Sequence, residues 1–263
     1  MTTLAYIVAA CLAGTLLSLA LAVLVAFRVK ASWVSTLVSY AVGAMLGAAF
    51  LDLLPHIFHE SRNPERAAAF LLAGIIVFFM LEKLLLWRHH HHHSDEEQAE
   101  AEEEMRHSGH DHGRSGWMII FGDSFHNFTD GVIIAGAFLS DTRLGIVTAL
   151  AIIAHEIPQE IGDFLVILHS GFGRARALFW NAVSGLSAVV GGIGGYFALS
   201  ALSAWLPEIL AFAAASMIYV AVADLIPGLH KRTALGESLT QVAFIALGIA
   251  SIWAIHAGLL TAH

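Results

Sequence analysis

WMIIFGDSFHNFTDGVIIAGAFL, residues 117–139, and LGIVTALAIIAHEIPQEIGDFLVIL, residues 144–168, decide how this chain folds. Each is long enough to cross a bilayer as a helix, which takes about 20 predominantly apolar residues. Each also carries a polar string near its middle: His126-Asn127-Phe128-Thr129-Asp130-Gly131 in the first and His155-Glu156-Ile157-Pro158-Gln159-Glu160 in the second. A charged side chain at the centre of a membrane helix costs roughly 2.5–3.5 kcal/mol on insertion scales. Several at one depth have to be paired, hydrated or bound to something. Imidazole, carboxylate and side-chain amide are groups that a divalent metal accepts.

The rest of the chain is of the same kind. It is 57% hydrophobic and only 13% charged, with a mean hydropathy of +0.73; a soluble domain carries about 25% charged residues. Apolar runs fall near 4–27, 33–54, 67–87, 117–139, 144–168, 177–200, 207–228 and 239–260. The expected fold is therefore all-α, a polytopic membrane helix bundle of eight transmembrane helices. Residues 1–87 supply helices one to three, 88–116 a His-rich loop, and 117–263 helices four to eight with the polar strings on the fourth and fifth. The first run has no basic residue before it and no clear cleavage site, so it reads as a retained span. A single cysteine, Cys11, excludes a disulfide framework and a thiolate metal cluster. The net charge of −8 comes largely from the acidic run Asp95 to Glu104 and gives no reason to expect a nucleic-acid partner.

With spans alternating in direction, Arg28, Lys30, Lys83, Arg88, Arg106, Arg114, Arg174, Arg176, Lys231 and Arg232 fall on one side; Arg62, Arg66 and Arg143 fall on the other. The basic excess marks the cytoplasmic side and puts both termini outside. The loop is then cytoplasmic. It holds His89, His90, His91, His92 and His93, then His107, His110 and His112, in a stretch too polar to build a core. Two readings stand for it: a metal-buffering or sensing segment, or a solvated linker that picks up metal incidentally.

Depth and angle bring the polar strings together. Entering from the cytoplasm near Trp117, the fourth span carries His126 roughly 14 Å into a core about 30 Å thick; entering from outside near Leu144, the fifth carries His155 about 16 Å deep. At 100° per residue, Asp123, His126, Asn127 and Asp130 share an arc of about 100°, and His155, Glu156, Gln159, Glu160 and Asp163 one of about 140°. His126 and Asp130 are one turn apart, as are His155 and Gln159, so each pair can share an ion, with Asn127, Glu156 and a bridging Asp130 for a second. Pro158 removes a backbone donor and frees the carbonyl of Ala154. Gly131, Gly136 and Gly162 allow close helix approach. Hydrogen bonding within a bundle explains one buried polar residue more readily than a cluster of seven. An intramembrane metalloprotease is a second alternative, because His155-Glu156 begins like the HExxH zinc helix; Gln159 in place of the second His and the internal proline count against it. A membrane sensor acting through the loop is a third.

Both strings resemble signatures of the ZIP family of divalent-metal transporters: HNFTDG the fourth-span motif, and HEIPQEIGDF the fifth-span motif usually written HEIPHELGDF. The eight spans, the His-rich loop, Leu54-Pro55 and Leu225-Ile226-Pro227 extend the resemblance over nearly the whole chain. It implies a primary metal site at His126, Asp130, His155 and Gln159 and an adjacent site at Asn127, Asp130, Glu156 and Gln159. It also implies a homodimer and elevator-like or rocking access. Gln159 stands where the commoner motif has His; Gln is a weaker, neutral ligand, which loosens dual occupancy and shifts preference away from strict zinc selectivity, with Glu160 as a compensating ligand and Fe²⁺, Mn²⁺ and Cd²⁺ as further candidate cargo. At the outer end of the second span, Asp52, His56, His59 and Glu60 are placed to gather metal. Met45 on that span reads more simply as core packing than as a gate. Asp123, Asp163 and His169 line the way out, and Asp224 reads as structural. The expected protein is not an enzyme. It moves Zn²⁺ into the cytoplasm through a lipid bilayer, a prokaryotic plasma membrane given its compact loops, with an organelle membrane as the alternative.

Overall fold

The computed structural model describes residues 2–28, 32–90, 114–230 and 234–261. Among them all regular structure is helical, and eight helical segments follow one another. They are α1 (Thr3–Arg28), α2 (Ser32–Ala48, carried on by Ala49–Leu53 and Leu54–Glu60), α3 (Pro64–His90), α4 (Arg114–Ser140), α5 (Thr142–His169), α6 (Arg174–Gly185 and Ser187–Ala201), α7 (Leu206–Tyr219, carried on by Val220–Leu225 and Ile226–His230) and α8 (Leu235–Thr261). The chain is a polytopic helix bundle. Seven of the segments are long and apolar enough to cross a membrane by length and composition. The exception is α4, although it runs for 27 residues. Its apolar character is diluted by Arg114, Asp123, His126, Asn127 and Asp130, four of which belong to the polar stripe.

Two ends differ from expectation. The second span does not stop at Leu54 before Pro55 but continues to Glu60 through a π-helical turn at Ala49–Leu53. Proline lacks an N–H, and its ring clashes with the carbonyl four residues back. Widening the turn relieves the clash: the Leu54 N–H bonds the Ala49 carbonyl, five residues back. The solution recurs before Pro227, where the Ile226 N–H bonds the Ala221 carbonyl. The other difference is that helix extends over part of the expected loop, with α3 reaching His90 and α4 starting at Arg114. The expectations on His91, His92, His93, His107, His110 and His112 lie outside the described residues.

A single residue, Asp141, separates α4 from α5. Its carboxylate accepts from the N–H groups of Arg143 (2.8 Å) and Leu144 (3.1 Å), capping two orphan donors of α5. So short a connection forces the helices antiparallel. His126 lies fourteen residues before Ser140 and His155 thirteen after Thr142, so both stand about 20 Å from the turn. The hairpin sets the two polar strings level.

The helices form two groups. In one, α1, α4, α5 and α6 pack on each other; in the other, α2 packs on α8 and α3 on α7. Each group has a glycine seam. A Cβ at Gly131 of α4 would overlap the Ala188 carbonyl of α6, and one at Gly191 of α6 would overlap the Phe128 carbonyl of α4. Between α2 and α8, Gly43 and Gly248 meet the carbonyls of Ile245 and Tyr40 in the same way. Backbones this close gain dispersion contacts that a bulkier residue would forbid, the usual logic of small residues between membrane helices. The groups meet chiefly where α2 crosses α5, and these two helices are the most buried of the bundle, whereas α3 and α8 are mostly exposed. Met45 of α2 is fully buried in this central cluster with Leu53, Leu210 and Met217, as core packing requires.

One ion pair ties α3 to α7. The Arg66 Nε donates to Glu208 Oε1 at 2.7 Å, the guanidinium lies 4.8 Å from the Trp205 ring centroid, and the Glu208 side chain is 2% exposed. Removing one partner of a fully buried pair costs about 3–5 kcal/mol; Arg66 is itself 45% exposed, so its removal costs less than that but leaves the Glu208 carboxylate buried without its partner. Arg66→Ala is accordingly expected to lower the thermal midpoint in detergent by several degrees. The paired change Arg66→Ala with Glu208→Gln should recover much of that loss, which two independent surface effects would not do.

Candidate metal site

His126 and Asp130 occupy successive turns of α4, and His155 and Glu156 are neighbours on α5. From each of the four, one donor atom points to a common centre, and the four atoms lie within 4.8 Å of one another. His155 Nε2 is 3.2 Å from His126 Nε2, 3.2 Å from Asp130 Oδ2 and 3.5 Å from Glu156 Oε1. His126 Nε2 is 3.7 Å from Asp130 Oδ2 and 3.8 Å from Glu156 Oε1. Zinc binds nitrogen and oxygen at 2.0–2.2 Å, mostly with tetrahedral geometry, and the edge of such a tetrahedron is about 3.3–3.6 Å. The five distances above, 3.2–3.8 Å, are close to that edge, so a modest inward shift of the four side chains would close them on one ion.

Electrostatics agree with geometry. Asp130, His155 and Glu156 are each 5% exposed or less, and Asp130 Oδ2 and Glu156 Oε1 have no hydrogen-bond partner. Unpaired buried carboxylates are costly. A dication satisfies both oxygens and cancels both charges, while the two imidazoles add ligands without adding charge. His126 keeps a side-chain exposure of 23%, which leaves one open edge.

Gln159 and Glu160 have polar neighbours beyond these four. The Gln159 Nε2 donates to Asp123 Oδ1 (3.2 Å), which also accepts from Asn127 Nδ2 (2.9 Å). Asp123 thus holds the Gln159 amide nitrogen, while Glu156 contributes a donor atom to the cluster. Glu160, one turn on from Glu156, is buried near Thr15 of α1 and Gly185 of α6. Its carbonyl accepts from Asn181 Nδ2 of α6 at 3.2 Å. Asp163 is half-buried one turn further on, and His169 ends α5.

At the other end, Asp52 is buried and bonded through Oδ1 to His256 Nδ1 of α8 at 2.5 Å, with Oδ2 unpaired. His56 Nε2 bonds Ser140 Oγ at 2.7 Å. His59 is exposed and lies 3.4 Å from Glu60. His256 is the participant that sequence reasoning missed. The signal was present, an ionisable residue within the eighth apolar run, but its partner lies at the far end of the sequence.

A family model described as ZIP Zinc transporter matches residues 1–256. The chain belongs to the ZIP zinc transporter family. That family is described as one of transporters, which counts against the metalloprotease reading. Among relatives, the chain is 38% identical over 139 residues to the zinc transporter ZIP13 homolog of Drosophila melanogaster, covering 52% of this chain and 39% of that protein. It is 40% identical over 120 residues to zinc transporter ZIP4 of Homo sapiens, covering 44% of this chain and 18% of that protein. In each, the matched region is less than half the length of the relative.

Proposed function

We propose that this ZIP protein carries zinc into the cytoplasm through the four-donor site of His126, Asp130, His155 and Glu156. The observation that supports this most directly is the convergence of two imidazole nitrogens and two carboxylate oxygens, all within 4.8 Å of one another, midway along two helices. No bond of the cargo other than coordination is made or broken. The ligands replace the hydration shell, and the charge they carry lets the dication cross an apolar core.

The division of the helices supports alternating access. All four donors belong to the group of α1, α4, α5 and α6, so movement of that group against the other carries the site without dismantling it. Asp52, His56 and His59, joined by His256, gather metal on the outer side. Asp123, Asp163 and His169 receive it on the inner side, with Gln159 and Asn127 holding Asp123 in place. The basic-residue bias supports outward termini in a prokaryotic plasma membrane, and a homodimer follows the family. The His-rich loop buffers metal at the exit.

Reconstitution into proteoliposomes with a trapped zinc indicator tests this reading. Zinc should enter with saturable kinetics, with Cd²⁺, Fe²⁺ and Mn²⁺ as competitors to rank. Protons compete with metal for imidazole, so affinity should fall as the pH drops; the sign follows because each bound proton removes a lone pair. Uptake that is unsaturable, or that rises on acidification at fixed zinc, would count against a His-containing carrier site.

A further inference from the structure

Where the two helix groups meet, the buried contact is apolar. Ala48, Leu54 and Ile57 of α2 share one cluster with Leu144, Val147 and Ala151 of α5. Apolar contacts are non-directional, so they hold the groups together without fixing one register along the junction. Directional contacts do fix a register. Those of Asp52 with His256 and of Arg66 with Glu208 lie within the second group, and those of Asp123 and Asn181 within the first. The bond between His56 Nε2 of α2 and Ser140 Oγ of α4, at 2.7 Å, runs from one group to the other.

Its position gives this bond leverage. Ser140 is the last residue of α4, and Asp141 beside it caps α5 through the N–H groups of Arg143 and Leu144. Holding Ser140 therefore holds the ends of both helices that carry the four donors. His56 lies just past the π-helical turn of α2, and both partners are half-buried. The Nε2 atom is engaged in either tautomer: as N–H it donates to the hydroxyl oxygen, and as a bare nitrogen it accepts the hydroxyl proton.

We propose that His56 and Ser140 form a latch that holds the outer side shut, and that a zinc ion arriving at His56 releases it. Zinc needs the Nε2 lone pair, so binding there displaces the Ser140 hydroxyl; a proton on Nε2 moves to Nδ1 or to solvent as the metal bond forms. Asp52, a charged neighbour of His56 with one buried oxygen unpaired, supplies a second ligand to the same ion. The latch rests on the entry role given to His56 and on the movement of one helix group against the other. It makes Ser140 a positioning residue for transport, one that acts through His56 and touches no metal.

The test uses the full chain in nanodiscs, with Cys11→Ser to remove its one cysteine. Spin labels at Arg62→Cys and Thr142→Cys, both exposed, stand on opposite sides of the junction, and double electron–electron resonance reads their separation. With the latch intact, added zinc should shift the distribution to longer distances. Ser140→Ala should raise the long-distance population without zinc by about 2- to 10-fold, the worth of one net hydrogen bond, and Ser140→Thr, which keeps the hydroxyl, should restore the original distribution. In proteoliposomes Ser140→Ala should lower the zinc concentration for half-maximal uptake by the same factor, with the calorimetric affinity of the four-donor site within about twofold. A distribution that ignores zinc, or that Ser140→Ala leaves unchanged, overturns the latch even if that variant melts earlier. His155→Ala should lose uptake yet keep the zinc-driven lengthening; loss of the lengthening overturns release through His56. Lengthening in a protein whose four donors bind no zinc overturns the carrier reading instead.

Discussion

Replacing His155 with alanine is expected to weaken zinc binding at least about 100-fold and to abolish uptake. Loss of an outer-shell partner alone typically costs 10–100-fold in metal affinity, and His155 stands in the shell itself. Its Nε2 approaches the other three donors at 3.2, 3.2 and 3.5 Å, so it is the hub of the arrangement. Without it, His126 is left 3.7 and 3.8 Å from two carboxylates that then repel each other with one imidazole between them. The side chain is 1% exposed, so water does not readily take its place. Calorimetric zinc titration measures the loss, and proteoliposome uptake measures its consequence. His230→Ala is the matched control: its side chain is exposed, it has no place in the site or its approaches, and uptake at saturating zinc should be unchanged. Zinc affinity within threefold of wild type in His155→Ala would remove the site from this place.

Much of this was legible in the chain itself, because burial in a membrane leaves few explanations for a charged residue. The polar strings of α4 and α5 are ionisable groups in apolar runs, and helical angle alone places His126, Asp130 and His155 on facing stripes. The equal arms of the α4–α5 hairpin were legible as well, since Asp141 is a cap residue between two helical patterns. Other features depend on partners that periodicity does not name. Gln159 and Glu156 share the α5 stripe, and periodicity does not name Asp123 on the opposing helix as the partner of the Gln159 amide nitrogen. The Asp52–His256 pair joins the second helix to the last, and nothing local to either run announces the other. Proline misled at the second span: Pro55 reads as a stop, yet a π turn of five residues lets the helix continue. The same polar residues that reveal the site also make α4 the least apolar of the spans, so function and membrane signal trade against each other in one helix.

At the α4–α6 seam, close packing and the site meet in adjacent residues, Asp130 and Gly131. A Cβ added at Gly131 would overlap the Ala188 carbonyl and stand 2.7 Å from the Gly192 nitrogen. Both obstacles are backbone atoms, so no rotamer change relieves them, and α4 must move away from α6. Asp130 precedes Gly131, and its Oδ2 needs to stay near His155 Nε2, now at 3.2 Å. Gly131→Ala is therefore expected to keep its helical content but bind zinc at least about tenfold more weakly, a cost of about 1.4 kcal/mol. Gly131→Val, with a stiff branched side chain, should fail to give monodisperse protein. Ordinary helix propensity predicts the opposite sign, since alanine is favoured over glycine by about 0.8–1.0 kcal/mol in a helix interior. Gly122→Ala and Gly194→Ala isolate that propensity term, because a Cβ at either meets nothing within 4 Å. Those two should match or exceed the wild type in thermal midpoint and leave zinc affinity unchanged. If Gly131→Ala behaves as they do, the seam is wider than its glycines imply, and the depth at which Asp130 meets His155 is set by the Asp141 hairpin alone.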